Sequence, residues 1–310
     1  MTGGVDTIDL SFDPGTILLL NVIIGLLMLG VALGIDLREL KRTLRDPKGP
    51  LIGMLGQFVL LPALTFVLIG ILRPEPSVAL GMLLVASCPG GNSSNLVTHL
   101  ARGNTSLSIG MTAISTLAAV VMTPLNFTFW GSLRPDTAEL LRAISISPAE
   151  LAVTVGLLLA VPVAIGLTVR WRAPALAQRL VRPAKVVSVV FLVGFIVAAL
   201  ANNLDVFVAY IGVVLLATAL HNGLGLAFGY GAARLAALPE PDRRAVAIEV
   251  GMQNSALALA LIFAFFGGLG GMALIAAWWG VWHLISGLAL AGWWSRRPAP
   301  AVALAEPAGG

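Results

Sequence analysis

Long apolar runs separated by short polar segments constrain the fold of this chain more than any other feature of its sequence. Many of these runs reach about 18 residues or more, which is enough for a helix to span a bilayer. Only 11% of the 310 residues are charged, which is well below the share found in soluble domains. The sequence therefore predicts an all-α polytopic membrane protein whose surroundings are a lipid bilayer.

The apolar runs divide into nine predicted transmembrane helices. A tail of residues 1–15 precedes a membrane domain of residues 16–295, and a disordered tail of residues 296–310 follows it. The predicted crossings lie at about residues 16–35, 50–72, 78–101, 105–131, 149–169, 185–202, 206–233, 245–266 and 270–293.

The basic residues are distributed unevenly between the two sides of the predicted membrane. Arg73, Arg134 and Arg142 lie in loops on one side, and the other 16 of the 19 basic residues lie on the opposite side. Because Lys and Arg are enriched in cytoplasmic loops, the N-terminus is predicted outside and the C-terminus in the cytoplasm of the cell (inner) membrane. The net charge of +4 comes from these loops, so no nucleic-acid partner is expected.

Two of the predicted helices are interrupted at mid-membrane. The third crossing contains Cys88–Asn95, in which a proline and two glycines are followed by Asn-Ser-Ser-Asn. The eighth contains Glu249–Ser255, with the sequence Glu-Val-Gly-Met-Gln-Asn-Ser. Paired interrupted helices in two halves of a chain indicate the binding site of a secondary transporter. The two segments run in opposite directions, and we predict inverted repeats of four and five helices.

Glu249 is the most informative single residue, since burying a carboxylate at bilayer depth costs on the order of a few kcal/mol. Carboxylate, amide and backbone carbonyl oxygens are the ligands that a small hard cation prefers. Ser108 and Thr112 are four residues apart and share a helix face. They can therefore complete an oxygen cage with Ser94, Asn95 and Glu249.

The polar residues also have plainer interpretations. A Pro-Gly-Gly segment alone is typical of a kinked helix that packs through small residues, and a lone membrane glutamine such as Gln57 more often makes an interhelical hydrogen bond. Ser115 and Thr116 are expected to bond to their own helix, and His221 is expected to be a packing residue. His283 is a candidate for lining a substrate cavity.

Three segments resemble the bile acid:sodium symporter (BASS) family, which includes the bile acid carriers of animals. They are Cys88–Asn95, Glu249–Ser255 and Val281–Gly287, the last with the sequence Val-Trp-His-Leu-Ile-Ser-Gly. The resemblance extends over about residues 16 to 295 and implies two broken helices that cross in a core domain. It implies a panel domain of about residues 16–72 and 149–202, packed against a core of about residues 78–131 and 206–293.

The resemblance also implies which residues bind two sodium ions and the substrate. The side chains of one sodium site would be Ser94, Asn95, Ser108, Thr112 and Glu249. The second ion would be held by Gln57, Glu249 and Gln253, with the backbone carbonyls of Val250 and Met252. Substrate contacts would fall on Asn92, Ser93, Asn254 and His283. This chain carries Leu284 where bacterial relatives usually carry Asn after the histidine, and it has nine predicted helices where they have ten.

These observations predict a sodium-coupled transporter that imports an organic anion, such as a bile-acid-like steroid or a small carboxylate, by alternating access. The chain has no G-x-x-x-x-G-K-[ST] loop, G-x-S-x-G elbow or Cys/His zinc cluster, so we expect that it is not an enzyme. One alternative is proton coupling, because a buried glutamate can carry a proton in place of a bound ion. The other alternative is a membrane receptor or binding protein that does not transport.

Overall fold

The computed structural model describes residues 14–143, 148–201 and 204–297, and their regular secondary structure is entirely helical. The elements are α1 (Pro14–Leu33), α2 (Leu37–Arg45), α3 (Lys48–Leu55), α4 (Leu61–Leu72), α5 (Pro76–Ser87), α6 (Ser93–Leu100), α7 (Thr105–Ser132), α8 (Pro135–Ala143), α9 (Pro148–Arg172), α10 (Pro174–Ala201), α11 (Leu204–Leu235), α12 (Glu240–Gly251), α13 (Ser255–Phe265) and α14 (Gly270–Ser295). A π-helical turn, Gly56–Leu60, joins α3 to α4. The all-α prediction is confirmed.

Several helices are long and apolar enough to cross a membrane. Within the described ranges, five segments meet this condition: Lys48–Leu72, Thr105–Ser132, Val153–Arg172, Tyr210–Leu235 and Gly270–Ser295. A sixth is obtained if Asn21–Leu33 and Leu37–Arg45, which meet at a bend of 66°, count as one span. The chain is a polytopic membrane protein, and the number of nine crossings stays a prediction. Both predicted tails lie outside the described residues, except for residues 14, 15, 296 and 297.

The first helix break separates α5 from α6 and follows from the proline. The residue before a proline is driven away from helical dihedrals, and Cys88 has an extended backbone with φ −73° and ψ 158°. The last carbonyls of α5 therefore need partners from outside the helix. Thr123 donates its hydroxyl to the Ser87 carbonyl at 2.7 Å, and Gln57 donates its side-chain amide to the Cys88 carbonyl at 2.7 Å.

The second break separates α12 from α13. Helix α12 ends at Gly251, whose carbonyl accepts a hydrogen bond of 2.8 Å from the side-chain amide of Asn222 on α11. Helix α13 then begins after its N-cap residue Asn254, whose Oδ1 accepts a hydrogen bond from the Leu257 N–H at 3.1 Å. A side-chain oxygen in this position satisfies one of the N–H groups that a helix start leaves free. The break is therefore capped on both sides.

The two breaks cross and bond to each other through their backbones. The Gly91 N–H donates to the Met252 carbonyl at 2.8 Å, and the Asn254 N–H donates to the Pro89 carbonyl at 2.8 Å. Between them, Gly90 and Gln253 form an antiparallel bridge. Because unbonded backbone groups are too costly at membrane depth, each interrupted helix makes the other possible. The predicted crossing of two broken helices is present in the structure.

The π-helical turn before α4 has an identifiable cause. Pro62 has no N–H to donate to the carbonyl four residues earlier, which belongs to Phe58. That carbonyl accepts a hydrogen bond of 2.9 Å from the side-chain amide of Asn126 on α7. Wide turns of this kind are found frequently at functional sites. Here the turn contains Gln57, which is fully buried.

Helix α9 packs against both α1 and α7. Helix α1 packs mainly against α9 and α10, and an added Cβ at Gly166 on α9 would lie 2.6 Å from the Ala32 Cβ of α1. In contrast, α3 and α4 pack against α5, α7, α11 and α12. Segments that the sequence analysis treated as loops also contain helices, of which α2 is an example. This helix begins after its N-cap residue Asp36, whose Oδ1 accepts a hydrogen bond from the Arg38 N–H at 2.9 Å.

We predict that Gly81→Ala destabilises the protein by about 1–3 kcal/mol, the cost of overpacking a filled interior. A Cβ at Gly81 on α5 would lie 2.7 Å from the Met272 Cα on α14, and backbone atoms cannot rotate away. The measurement is thermal unfolding of the detergent-purified protein. Gly70→Ala is the control, because a Cβ at Gly70 would have no atom within 4 Å. Equal unfolding temperatures of the two variants would contradict the close contact of α5 with α14.

Candidate ion-binding site at the helix crossing

Glu249 lies on α12 two residues before the second break and is fully buried. Its Oε2 accepts hydrogen bonds from the Ser94 hydroxyl at 2.7 Å and the Thr112 hydroxyl at 3.0 Å. Its Oε1 has no hydrogen-bond partner among the described residues. None of the ion pairs found in that part of the chain includes Glu249. A buried carboxylate with a free oxygen and no cationic side chain is expensive, and a bound cation would offset this cost.

Gly90 allows the first break to approach this carboxylate closely. A Cβ at position 90 would lie 2.0 Å from the Glu249 Oε1 and 2.6 Å from its carboxyl carbon. Any side chain there would displace the carboxylate. The glycine is therefore needed for space rather than for an unusual dihedral angle, and it brings the backbone of one broken helix against the acid of the other.

The oxygens of three helices converge beside Glu249. Asn95 on α6 accepts a hydrogen bond at its Oδ1 from the Ser108 hydroxyl at 2.8 Å, and the same oxygen lies 3.2 Å from the Thr112 hydroxyl oxygen; Ser108 and Thr112 are both on α7. The hydroxyl oxygens of Ser94 and Thr112 are 3.4 Å apart. The structure thus brings together all five residues of the first predicted sodium site. Carboxylate, amide and hydroxyl oxygens are a suitable donor set for a hard cation.

The second predicted set lies around Gln57 and Gln253, which are both fully buried. Gln57 donates its amide to the Gln253 Oε1 as well as to the first break, and its own Oε1 has no partner among the described atoms. Gln253 donates to the Val250 carbonyl at 2.7 Å. Met252 contributes its carbonyl to the crossing itself. Gln57 thus makes the interhelical bond expected of a membrane glutamine and keeps a free oxygen.

The predicted substrate residues flank the crossing. Asn92 is exposed and Ser93 half-buried at the start of α6, and Asn254 is half-buried at the start of α13. His283 on α14 is buried and shares a helix face with Gly280 and Gly287. An added Cβ at either glycine would lie 2.9 Å from a side chain of the second break, Ser255 or Met252 respectively. His283 therefore faces that break, whereas Leu284 is 39% exposed.

The remaining polar residues make bonds within their own helix or pack against neighbouring side chains. Ser115 and Thr116 donate to the Thr112 carbonyl of their own helix at 3.1 Å and 2.7 Å. His221 packs its ring against Trp279 with the ring centres 4.5 Å apart, and its Nε2 lies 2.6 Å from the Thr65 hydroxyl oxygen.

Three residues that support the breaks were not identified from the sequence. Thr123, Asn126 and Asn222 each donate to a backbone carbonyl left free by an irregular turn on another helix. These residues could have been sought from the sequence, because every broken helix leaves backbone carbonyls that require hydrogen-bond donors. Polar residues inside long apolar helices are the candidates for that role.

Comparison with known proteins gives consistent matches. Residues 21–210 match the model of the sodium bile acid symporter family. The uncharacterized sodium-dependent transporter YocS of Bacillus subtilis is 33% identical over 278 residues, covering 90% of this chain and 83% of its own length. The probable sodium/metabolite cotransporter BASS1 of Arabidopsis thaliana is 35% identical over 277 residues, covering 88% and 65%. The mouse sodium/bile acid cotransporter 4 is 31% identical over 248 residues, covering 78% and 56%.

We predict that Gly90→Ala destabilises the protein by about 1–3 kcal/mol through overpacking and removes any stabilisation by sodium. The added methyl would occupy the position of the Glu249 Oε1 and move the carboxylate away from Ser94 and Thr112. Thermal unfolding with and without NaCl measures both effects. Gly223→Ala is the control, since a Cβ at Gly223 has no neighbour within 4 Å. A Gly90→Ala protein that keeps a sodium response would show that the carboxylate is elsewhere when the ion binds.

Proposed function

The chain belongs to the sodium bile acid symporter family, a family of sodium-dependent transporters, and we propose that it imports an organic anion together with sodium across the cell membrane. The single observation that carries this proposal is the Glu249 carboxylate. It is buried at the crossing of two broken helices, and one of its oxygens has no donor in the described residues. The names of the relatives support sodium coupling, and the confirmed family resemblance supports a transporter rather than an enzyme.

In this proposal two sodium ions bind beside the crossing. The first is held by Ser94, Asn95, Ser108, Thr112 and Glu249. The second is held by Gln57, Glu249 and Gln253 with the carbonyls of Val250 and Met252. Glu249 takes part in both sites. This role is consistent with the different surroundings of its two carboxylate oxygens, since Oε2 accepts two hydrogen bonds and Oε1 accepts none from the described residues. Proton coupling is less well supported, because a proton does not need the neutral oxygens that surround the acid.

The substrate is proposed to be anionic because the site would carry excess positive charge once loaded. Two sodium ions are opposed by one carboxylate. Helices α6 and α13 both have their N-termini at the crossing. Helix N-termini carry partial positive charge that favours anions. Asn92, Ser93, Asn254 and His283 would contact the anion. The relatives include a sodium/metabolite and a sodium/bile acid cotransporter, so we propose a small carboxylate or a bile-acid-like steroid.

We propose nine crossings, in which α5 with α6 and α12 with α13 each form one interrupted span. The packing supports a revised division of the domains: a panel of α1, α9 and α10, and a core that includes residues 50–72 with the crossing. Rocking of the core against the panel would alternate access to the site, as in other transporters built from inverted repeats. The N-terminus would lie outside the cell and the C-terminus in the cytoplasm.

We predict that NaCl raises the unfolding temperature of the detergent-purified protein and that KCl at equal ionic strength does not. A ligand that binds only the folded state stabilises it, by about 2.7 kcal/mol at a hundredfold excess over Kd. Glu249→Gln should abolish the sodium effect, because it removes the charge while keeping the side-chain shape.

The matched control for this titration is Glu139→Gln, which changes an exposed acid on α8. This variant should respond to sodium as the wild type does. Equal unfolding temperatures of the wild type in NaCl and KCl would contradict sodium binding and favour proton coupling.

We further predict that His283→Gln lowers sodium-driven uptake by roughly tenfold or more, the effect of losing a hydrogen bond to a charged group. Uptake is measured in proteoliposomes with an inward sodium gradient, using radiolabelled pyruvate and taurocholate as probes. The sodium-dependent rise in unfolding temperature should be unchanged, since His283 is outside both proposed sodium sites. The control is His99→Gln, which alters an exposed histidine on α6. Unchanged uptake by His283→Gln would exclude this residue from the substrate site.

A further inference from the structure

Arg244 is a buried cation near the start of α12, with 3% of its surface exposed. Its guanidinium donates four hydrogen bonds: to the Glu240 carboxylate at 3.0 Å, the Ala101 carbonyl at 2.9 Å, the Trp294 carbonyl at 3.3 Å and the Arg297 carbonyl at 2.9 Å. The carbonyls belong to the ends of α6 and α14, where helices leave acceptors free and carry partial negative charge. One side chain thereby joins the ends of three helices.

The position of the Arg244 guanidinium is fixed by its neighbours. Glu240 accepts a second hydrogen bond, of 2.7 Å, from the Tyr230 hydroxyl on α11. The Tyr230 ring is stacked on Trp294 at a centroid distance of 5.8 Å, and the guanidinium carbon lies 5.6 Å from the centre of the Trp294 ring. A buried cation that is paired with a carboxylate and packed on an aromatic face has little freedom to move.

A second connection joins the start of α7 to the start of α12. Asn104 caps α7 through its Oδ1, which accepts from the Leu107 N–H at 3.1 Å. Its amide group donates to the Asp242 carboxylate at 2.8 Å, and its backbone N–H donates to the Pro241 carbonyl at 2.9 Å. We call the side chains of Asn104, Glu240, Asp242 and Arg244 the Arg244 cluster. It links α6, α7 and α12 at one end.

These are the three helices that carry the proposed first sodium site. At a rise of about 1.5 Å per residue, the site lies only a few residues from the cluster on each helix. Glu249 is roughly 7.5 Å along α12 from Arg244, Ser94 roughly 10 Å along α6 from Ala101, and Ser108 roughly 6 Å along α7 from Asn104. Helix α6 has only eight residues, so any tilt of its Ala101 end also moves its ligand end.

We propose that Arg244 is a positioning residue for sodium: through the Arg244 cluster it sets the spacing of α6, α7 and α12 and thereby the sodium affinity of the site a few residues away. This inference rests on the proposed sodium coupling and adds a group that touches neither ion nor substrate. Since coupling between two sites is reciprocal, sodium binding also strengthens the contacts of Arg244 with the ends of α6 and α14.

The test is a sodium titration of the unfolding temperature for the full-length protein and Arg244→Lys, at constant ionic strength with KCl. Lysine keeps the charge but cannot donate the forked set of bonds to several acceptors. The sodium concentration for half-maximal stabilisation should rise by roughly fivefold or more. Arg234→Lys is the matched control, because Arg234 is an exposed residue in the last turn of α11 and is not part of the Arg244 cluster. Its sodium midpoint should equal that of the wild type.

Asn104→Ser provides a second variant that does not depend on the folding of Arg244→Lys. Serine keeps an oxygen that caps α7 but loses the amide donor to Asp242, so its sodium midpoint should also rise. Unchanged midpoints, with unfolding temperatures lowered equally in NaCl and KCl, would overturn the proposal and leave the cluster a purely structural role. A wild type without any sodium response would overturn the sodium proposal itself, which is a distinguishable result.

Discussion

Two backbone hydrogen bonds between the helix breaks, from Gly91 to Met252 and from Asn254 to Pro89, are the interactions on which the rest of the structure depends. At membrane depth no water is present to bond to an opened helix. The two interrupted helices must therefore occur together, and the carbonyls that they do not satisfy require polar side chains on neighbouring helices. Gln57, Thr123 and Asn222 supply those donors, so the position of each follows from the crossing.

The electrostatics of the crossing follow from the same geometry. Glu249 lies where the two breaks meet, and its hydrogen bonds come only from hydroxyl groups in the described residues. Arg244, five residues earlier on the same helix, uses its guanidinium on Glu240 and on the ends of α6 and α14. The positive charge of the protein is thereby kept away from the buried acid. In the proposed function, a sodium ion from solution supplies the positive charge beside Glu249.

The sequence predicted the interrupted helices and the residues around Glu249, because a proline, a glycine pair or an acid inside an apolar segment can be recognised from a few consecutive residues. It did not predict the π-helical turn at Gly56–Leu60, since the donor that makes the turn tolerable, Asn126, is on another helix. Nor did it predict the Arg244 cluster: Arg244 was counted only as a loop charge. The division into panel and core stays a prediction: the resemblance groups residues 50–72 with the panel, whereas α4 packs against α5 and α11. Such long-range partners cannot be read from local pattern.

The π-helical turn has a consequence for the tolerance of this chain to insertions and deletions. A π-helical turn contains one residue more than an α-helical turn of the same height, and a deletion of one residue between Gly56 and Leu60 would convert it into regular helix. Because the wide turn holds its extra residue within one full rotation, α3 and α4 would keep their relative orientation after this deletion. The segment would still be long and apolar enough to span a bilayer. It would, however, lose the wide turn that contains Gln57 and leaves the Phe58 carbonyl to Asn126, so the length of this turn matters for the position of Gln57 and not for the helices on either side.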